Sequence, residues 1–407
     1  MPIYRGLDIS AKVWRLSQGN IDPNGWFKFT PLQELLDGDR FFLQDLGKRL
    51  ELDEKSDEKM PVFSSPGAIV ERLRPQTNSY SEVLRQNTQA LGSCNKVGVA
   101  FPYAVSPPIR QVLPELLGKK DVASQRRLGL ECPMAACLEL VATGAIPCPK
   151  QPKTLLFLGE TDRGAELTAL RVVANEKQLS MDVLAWREIQ AEPPETEWAN
   201  WPPELFAAGA AEPIDLCVIH SSLQQLGQEV AKALGISREA TRFLEADAAA
   251  AARGVARYAA IEEQGYLLVD DAYDGSRIEE LKIQRILPRP LGIIGANGAG
   301  KQFWRLLFAG GTLFGTSAAS ELVIEMEHLP TFFAFAVVTR CMQSPPSWLP
   351  QSAWRDYGLQ LFALRTNPGN IPAKRKTLRI SLQSIPLGPV AWNDKVLDLR
   401  VSATPGS

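Results

Sequence analysis

The stretch from Asn95 to Val173 constrains the fold more than any other, because it reads as one ordered series of strands, helices and a hairpin. Val97-Gly-Val-Ala100 is an apolar run short enough to be a buried strand. Phe101-Pro-Tyr-Ala-Val-Ser-Pro-Pro follows as a turn, with Ser106 as N-cap and Pro107 at a first helical position, which predicts a helix to about Leu117 closed by Gly118. A second helix is predicted from Pro133 through the apolar run Met134–Ala142 to Gly144. Thr154–Leu158 then reads as a buried strand, Gly159-Glu-Thr-Asp-Arg-Gly164 as a tight turn, and Leu167–Val173 as the returning strand. Strands and helices in this alternation imply a mixed α/β domain.

At 407 residues, with 45% hydrophobic and 22% charged, the chain is long enough for two or three globular domains. Lys+Arg 44 against Asp+Glu 46 gives a net charge of −2, so no global field draws the chain to nucleic acid or to an anionic membrane. Met1–Asp8 lacks the apolar core of a secretory signal, and the apolar run Phe332–Val338 is too short to span a bilayer, so a cytoplasmic location is expected. The six cysteines form no C-x-x-C pair and only His220 and His328 could assist them, so no metal centre is expected.

Other segments add detail. Asp37–Arg40 and Asp45–Lys59 are charge-dense and read as exposed turns and a linker. The segment 66–89 has helical spacing interrupted by Pro75. Ser180–Trp186 reads as a strand, and Glu192–Pro203 as a Pro/Trp/Glu loop. Ile214–His220 is a buried-strand pattern, with Ser221-Ser222 expected to cap a helix ending at Gly235. Asp247–Ile261 is a helix with a small-residue face, where Gly254 permits close approach of a neighbour.

Gly295-Ala-Asn-Gly-Ala-Gly-Lys301 has the spacing of a phosphate-cradling P-loop. Gln302 replaces the metal-binding Ser or Thr and the flanks are β-rich, so a hairpin or binding loop is expected instead. Alternation of Leu322, Ile324 and Met326, of Leu378, Ile380 and Leu382, and of Leu397, Leu399 and Val401 with polar residues predicts antiparallel strands. Ser344–Pro350 and Arg365–Pro372 read as long turns, and Lys374-Arg-Lys376 as a solvated turn.

This order, together with Gly6-Leu-Asp-Ile9 at the end of a first strand, resembles the DnaK-type heat-shock chaperones, members of the actin-like ATPase superfamily. The resemblance implies a two-lobed α/β actin-like ATPase (ribonuclease H-like) domain over residues 1–280, an apolar linker over 281–290 and a substrate-binding-like β-sandwich over 291–407. It implies ATP and Mg2+ as cofactors and an extended peptide or protein partner held by the sandwich. Carried over position by position, it assigns nucleotide binding to Asp8, Ser10, Lys12, Gly159, Glu160, Thr161, Ser221 and Ser222, with Asp8 as the catalytic carboxylate in register.

Several departures bear on that activity. Where the family has Gly and two Thr after the first strand, this chain has Ser10, Ala11 and Lys12, removing hydroxyl donors and close backbone approach to a phosphate. Cys132 replaces a glutamate that arranges metal and water, Phe157 a metal-organising aspartate, and Ile219 and His220 two glycines beside the purine. Glu160 places a negative charge where a γ-phosphate would sit, a repulsion of roughly 1–4 kcal/mol. Since positioning and charge neutralisation supply nearly all phosphoryl-transfer catalysis, the departures imply a pseudo-ATPase with weak nucleotide binding and doubtful Mg2+. The alternative is an active ATPase or phosphotransferase with a site rearranged around Asp8, Lys12, Glu160 and Thr161. A structural subunit of a larger assembly is a third reading. No lid follows the last strand, so bound clients are expected to exchange quickly.

Overall fold

The computed structural model describes residues 2–35, 42–51, 96–105, 109, 113, 127–162, 164–175, 177–190, 214–234, 236, 242–269, 277–296, 301–313, 320–324, 332–340, 345–365, 376–385 and 396–405. The first lobe contains β1 (Ile3–Asp8), β2 (Arg15–Ile21), β3 (Phe27–Phe29), β4 (Gln33–Glu34), helix α1 (Phe42–Leu50), β5 (Lys96–Phe101) and β6 (Arg127–Glu131). Helix α2 (Cys132–Ala142) leads into the second lobe of β7 (Lys153–Thr161), β8 (Gly164–Asn175), β9 (Gln178–Gln190), β10 (Leu216–His220), helix α3 (Gln224–Ala233) and β11 (Arg242–Ala246). Helix α4 (Ala250–Gln264), the short pair β12 (Leu267–Leu268) and β13 (Arg277–Ile278), and β14 (Glu280–Gln284) complete the two-lobed part.

One strand pattern occurs twice. The first sheet runs β3-β2-β1-β5-β6 and the second β9-β8-β7-β10-β11, with β14 added beside β9. In each, the first three strands form an antiparallel meander. β1 then pairs in parallel with β5 and β5 with β6, just as β7 pairs in parallel with β10 and β10 with β11, while the short β4 pairs with β2. Parallel partners need crossover connections, so each half is a mixed α/β unit and the whole is a duplicated, two-lobed architecture.

Helices α2 and α4 hold the lobes together. One apolar cluster includes Tyr4, Ala100 and Leu130 of the first sheet, Met134, Leu138 and Val255 of the helices, and Leu155, Phe157 and Val218 of the second sheet. A second cluster, including Leu156, Leu167, Ile219 and Val230, covers the other face of the second sheet beneath α3. Helix α2 is buried along its whole length, which its apolar run and Pro133 in the first turn permit. Close approach requires glycine: a Cβ on Gly254 would fall 1.7 Å from the Ala135 carbonyl oxygen, and one on Gly6 would fall 1.7 Å from that of Ala252.

Four sequence expectations need correction. The charge-dense segment beginning at Asp45 is helical at its start, because Phe42, Leu43, Leu46 and Leu50 share one buried face of α1 beneath the charges. Ser221 and Ser222 lie in a single 3-10 turn (Ser221–Leu223) before α3 and do not cap that helix. Of the stretch read as linker, Leu281–Gln284 belongs to β14 and pairs in parallel with β9. Trp348–Pro350, read as part of a turn, is an edge strand.

Beyond Pro290 the described residues form strands and turns, with one 3-10 turn at Gln351–Ala353. The strands are β15 (Leu291–Ala296), β16 (Gln302–Phe308), β17 (Ser320–Ile324), β18 (Phe332–Val338), β19 (Trp348–Pro350), β20 (Leu359–Arg365), β21 (Lys376–Ile385) and β22 (Val396–Pro405). They form a five-stranded sheet, β19-β16-β15-β18-β20, and a three-stranded one, β17-β21-β22, with antiparallel pairing throughout. The stretch with P-loop spacing joins β15 to β16, and Ala296 pairs antiparallel with Gln302 across it, the hairpin expected there. Most of the expected helix at 106–117, the segment 66–89, the loop at 192–203, the turn at 366–372 and the basic residues Lys374 and Arg375 lie outside the described residues.

Candidate interlobe site

Asp8 is the last residue of β1 and is buried. Its Oδ1 accepts hydrogen bonds from the Ser10 backbone N–H at 2.9 Å, the Ser10 hydroxyl at 2.6 Å and the Cys132 thiol at 3.5 Å. Burial, and then the Asp8 charge, hold the Cys132 thiol well above its ordinary pKa, so it remains a protonated donor. Ser10 and Cys132 therefore stabilise the carboxylate from within the protein. Lys12, in the turn between β1 and β2, is exposed.

The hairpin of β7 and β8 comes to this place from the other lobe. Phe157 lies buried in the shared apolar cluster and supplies no ligand atom. Gly159 is buried within β7, and the tight turn is shorter than expected, since pairing continues to Thr161 and Gly164. Glu160 accepts from Arg15 Nη2 at 3.0 Å, and its Oε2 lies 3.9 Å from His220 Nδ1. Arg15 stands at the start of β2 and its side chain is 8% exposed, yet its Nε and Nη1 have no hydrogen-bond partner in the protein.

The same hairpin makes two more contacts with the first lobe. Asp162 Oδ2 accepts from the Gln44 N–H at 2.8 Å, in the first turn of α1, where the helix dipole favours a negative charge. Glu166 accepts from the Tyr103 N–H with both oxygens, at 3.0 and 2.9 Å, and from Trp186 Nε1 at 3.0 Å. Burial raises the Glu166 pKa to about 7 despite those donors. Three carboxylates of one hairpin, Glu160, Asp162 and Glu166, thus engage the opposite lobe.

His220 closes β10. Its Nδ1 accepts from the Ser222 N–H at 3.3 Å and lies 2.8 Å from the Ser222 hydroxyl, a local arrangement within the 3-10 turn. Burial lowers its pKa, against the raising effect of Glu160 and with Arg15 adding to the lowering, so the ring is neutral at pH 7. Ser222 is exposed and Ser221 half-buried. Asp247 also acts on His220, but its carboxylate is paired with Arg253.

The structure therefore brings Asp8, Ser10, Glu160 and His220 to one place between the lobes, along with Arg15 and Cys132. This set does not fit a magnesium nucleotide. A polyphosphate needs converging N–H donors and an excess of positive charge, whereas Asp8 and Glu160 set two carboxylates against the single guanidinium of Arg15, whose Nη2 is bound to Glu160. Among the described residues no group of three or more His, Cys, Asp or Glu side chains is placed to hold a metal ion. Arg15 was not anticipated from sequence. Its partner lies 145 residues away, and only the spatial meeting of two hairpins reveals it.

The segment after β14 is fastened to both lobes. Arg285 makes a bidentate pair with buried Glu131, at 2.6 and 2.8 Å. The Tyr103 hydroxyl donates to the Ile286 carbonyl and accepts from the Ile286 N–H. Arg289 pairs with Glu188 at 2.7 Å and donates to the Thr339 carbonyl.

Solved structures with likeness to the chain include the following two. One is the Aquifex aeolicus member of the Ppx/GppA protein family, 14% identical, covering 54% of this chain and 67% of its own, with a TM-score of 0.27. The other is an exopolyphosphatase-like protein, 12% identical, covering 69% and 94%, with a TM-score of 0.29. No family model matches the chain, and no curated protein does. Superpositions this loose say nothing of chemistry, and the two-lobed assignment rests on the duplicated strand order. Among the described residues no helix is long and apolar enough to cross a membrane.

Proposed function

We propose that this chain is an actin-like two-lobed protein whose interlobe site is held closed by its own side chains, and that it serves as a binding scaffold without hydrolysing nucleotide. The Arg15–Glu160 ion pair supports this reading, because it joins the two lobes with an internal cation and anion at the hairpins to which the resemblance assigns phosphate binding. Asp162 on α1 and Glu166 on Tyr103 reinforce the closure. ATP is then at most a weak ligand, Mg2+ has no adequate set of ligands, and Asp8 acts as an internal hydrogen-bond acceptor.

The partner is a protein segment or peptide, for which the C-terminal antiparallel strands offer edges. The chaperone-specific form of this idea is disfavoured, because the segment after β14, where a free linker is required, is fastened at Arg285, Ile286 and Arg289. A phosphoryl-transfer enzyme of the same superfamily is the better second reading. It is favoured by Asp8 standing in register at the end of β1 and by the two Arg15 nitrogens that lack protein partners, which could meet a phosphate oxygen.

Spin labels on positions 28 and 232, exposed sites on opposite lobes, test the proposal through the interlobe distance. The distance should be unchanged by millimolar Mg-ATP and should broaden in Glu160→Gln. Narrowing on addition of Mg-ATP would favour the enzyme.

A further inference from the structure

Glu166 of β8 is 1% exposed, and the groups that donate to it are uncharged: the Tyr103 N–H from the first lobe and Trp186 Nε1 from β9. Among the described residues it makes no ion pair. Directly opposite it in the β8–β9 ladder stands Glu188, whose Cβ is then about 5 Å away on the same face. Like charges placed so repel, and a buried carboxylate without a cation is costly to ionise.

The other neighbours do not relieve that cost. On β7 the residue opposite is Gly159, which carries no side chain. Glu131, at the end of β6, acts on Glu166 as a second negative charge and is itself bound to Arg285. The Cys132 thiol at the start of α2 is protonated and feels the Glu166 charge as a repulsion. Arg289, after β14, is committed to Glu188, and Asp162 at the end of the hairpin turns to the Gln44 N–H of α1.

The Tyr103 contact is the movable one. Pro102, Ala104 and Val105, which flank Tyr103, form a wall of a cavity of about 60 Å3 that Glu166, Glu188 and Trp186 also border. On the scale of 10–15 Å3 per water this is room for about four waters, so a small displacement of that wall hydrates the carboxylate. Trp186 and Glu188 lie on the same sheet as Glu166 and stay with it when the wall moves.

We propose that Glu166 is a pH-operated clasp between the lobes: as the neutral acid it holds the Tyr103 segment shut, and as the carboxylate, opposite Glu188, it lets that segment part from the second lobe. The neutral acid keeps a carbonyl oxygen that accepts from the Tyr103 N–H and places no second charge beside Glu188. The closed form binds the proton with a pKa of about 7 against 4.5 for a hydrated carboxyl, so the grip is complete below about pH 4.5 and weakens as pH rises to 7. Because the Tyr103 hydroxyl also holds Ile286, opening the clasp loosens the segment that leads to the C-terminal sheet. This deepens the closed-lobe reading and rests on it. The two fail separately: a Tyr103 contact indifferent to pH leaves the lobes closed, whereas narrowing of the interlobe distance by Mg-ATP removes the closed state itself.

Amide hydrogen exchange on the nucleotide-free full chain tests the clasp, read as the protection factor of the Tyr103 N–H after correction for the intrinsic rate at each pH. Protection should fall roughly 60-fold between pH 5 and 7.5 and level off above that. Leu138, in the middle of buried α2, reports global unfolding and should stay more protected than Tyr103 throughout. In Glu166→Gln the Tyr103 protection should not vary with pH. In Glu188→Gln, which removes the opposing charge and leaves that of Arg289 uncancelled, the fall should shrink. Equal protection at pH 5 and 7.5, a fall that persists in Glu166→Gln or is unchanged in Glu188→Gln, or Tyr103 protection equal to that of Leu138 would each overturn the proposal.

Discussion

At the scale of single residues, the charged groups that matter are those whose partners lie across a lobe boundary. Arg285 and Glu131 are buried together with two hydrogen bonds, so Arg285→Met strands a carboxylate and should cost about 3–5 kcal/mol in denaturant unfolding. Retention of wild-type stability would show that Glu131 finds another partner. Glu166 is the group to watch with pH. Its pKa rises from 4.5 to about 7 on folding through burial, so the folded state holds the proton more tightly than the unfolded chain. The resulting stabilisation is complete below about pH 4.5 and is lost as pH rises through 7, roughly 3 kcal/mol in all. In Glu166→Gln this component of the pH dependence should vanish, and an unchanged slope of unfolding free energy between pH 5 and 7 would refute the assignment.

At the scale of elements, α4 shows how close packing overrides local preference. Alanine is the better helix former by about 1 kcal/mol, yet Gly254→Ala places a methyl against the Ala135 carbonyl and should destabilise by about 1–3 kcal/mol net. A more stable variant by calorimetry would mean that α2 and α4 can separate without loss. The same elements show what the sequence could and could not reveal. Helix α2 and strand β7 were legible because their apolar runs end in Pro133, Gly144 and a turn. Helix α1 was not, because charges hide the spacing of Phe42, Leu43, Leu46 and Leu50. Strand β19 is short and set among prolines, and only its pairing with β16 makes it a strand. The position of Asp8 could be read from a single strand end. The roles of Arg15, Asp162 and Glu166 could not, since each is defined by a contact with the opposite lobe.

At the scale of the whole molecule, two copies of one strand order enclose α2 and α4, and the β7–β8 hairpin ties the lobes together with three carboxylates. An opening and closing cycle would have to break these contacts and those of Arg285 and Arg289 together. The most direct measurement is calorimetric titration of the full chain with Mg-ATP, alongside Asp8→Ala. The account predicts no saturable heat at micromolar protein and identical traces for the two proteins. Micromolar binding that disappears in Asp8→Ala would contradict it and establish a working nucleotide site.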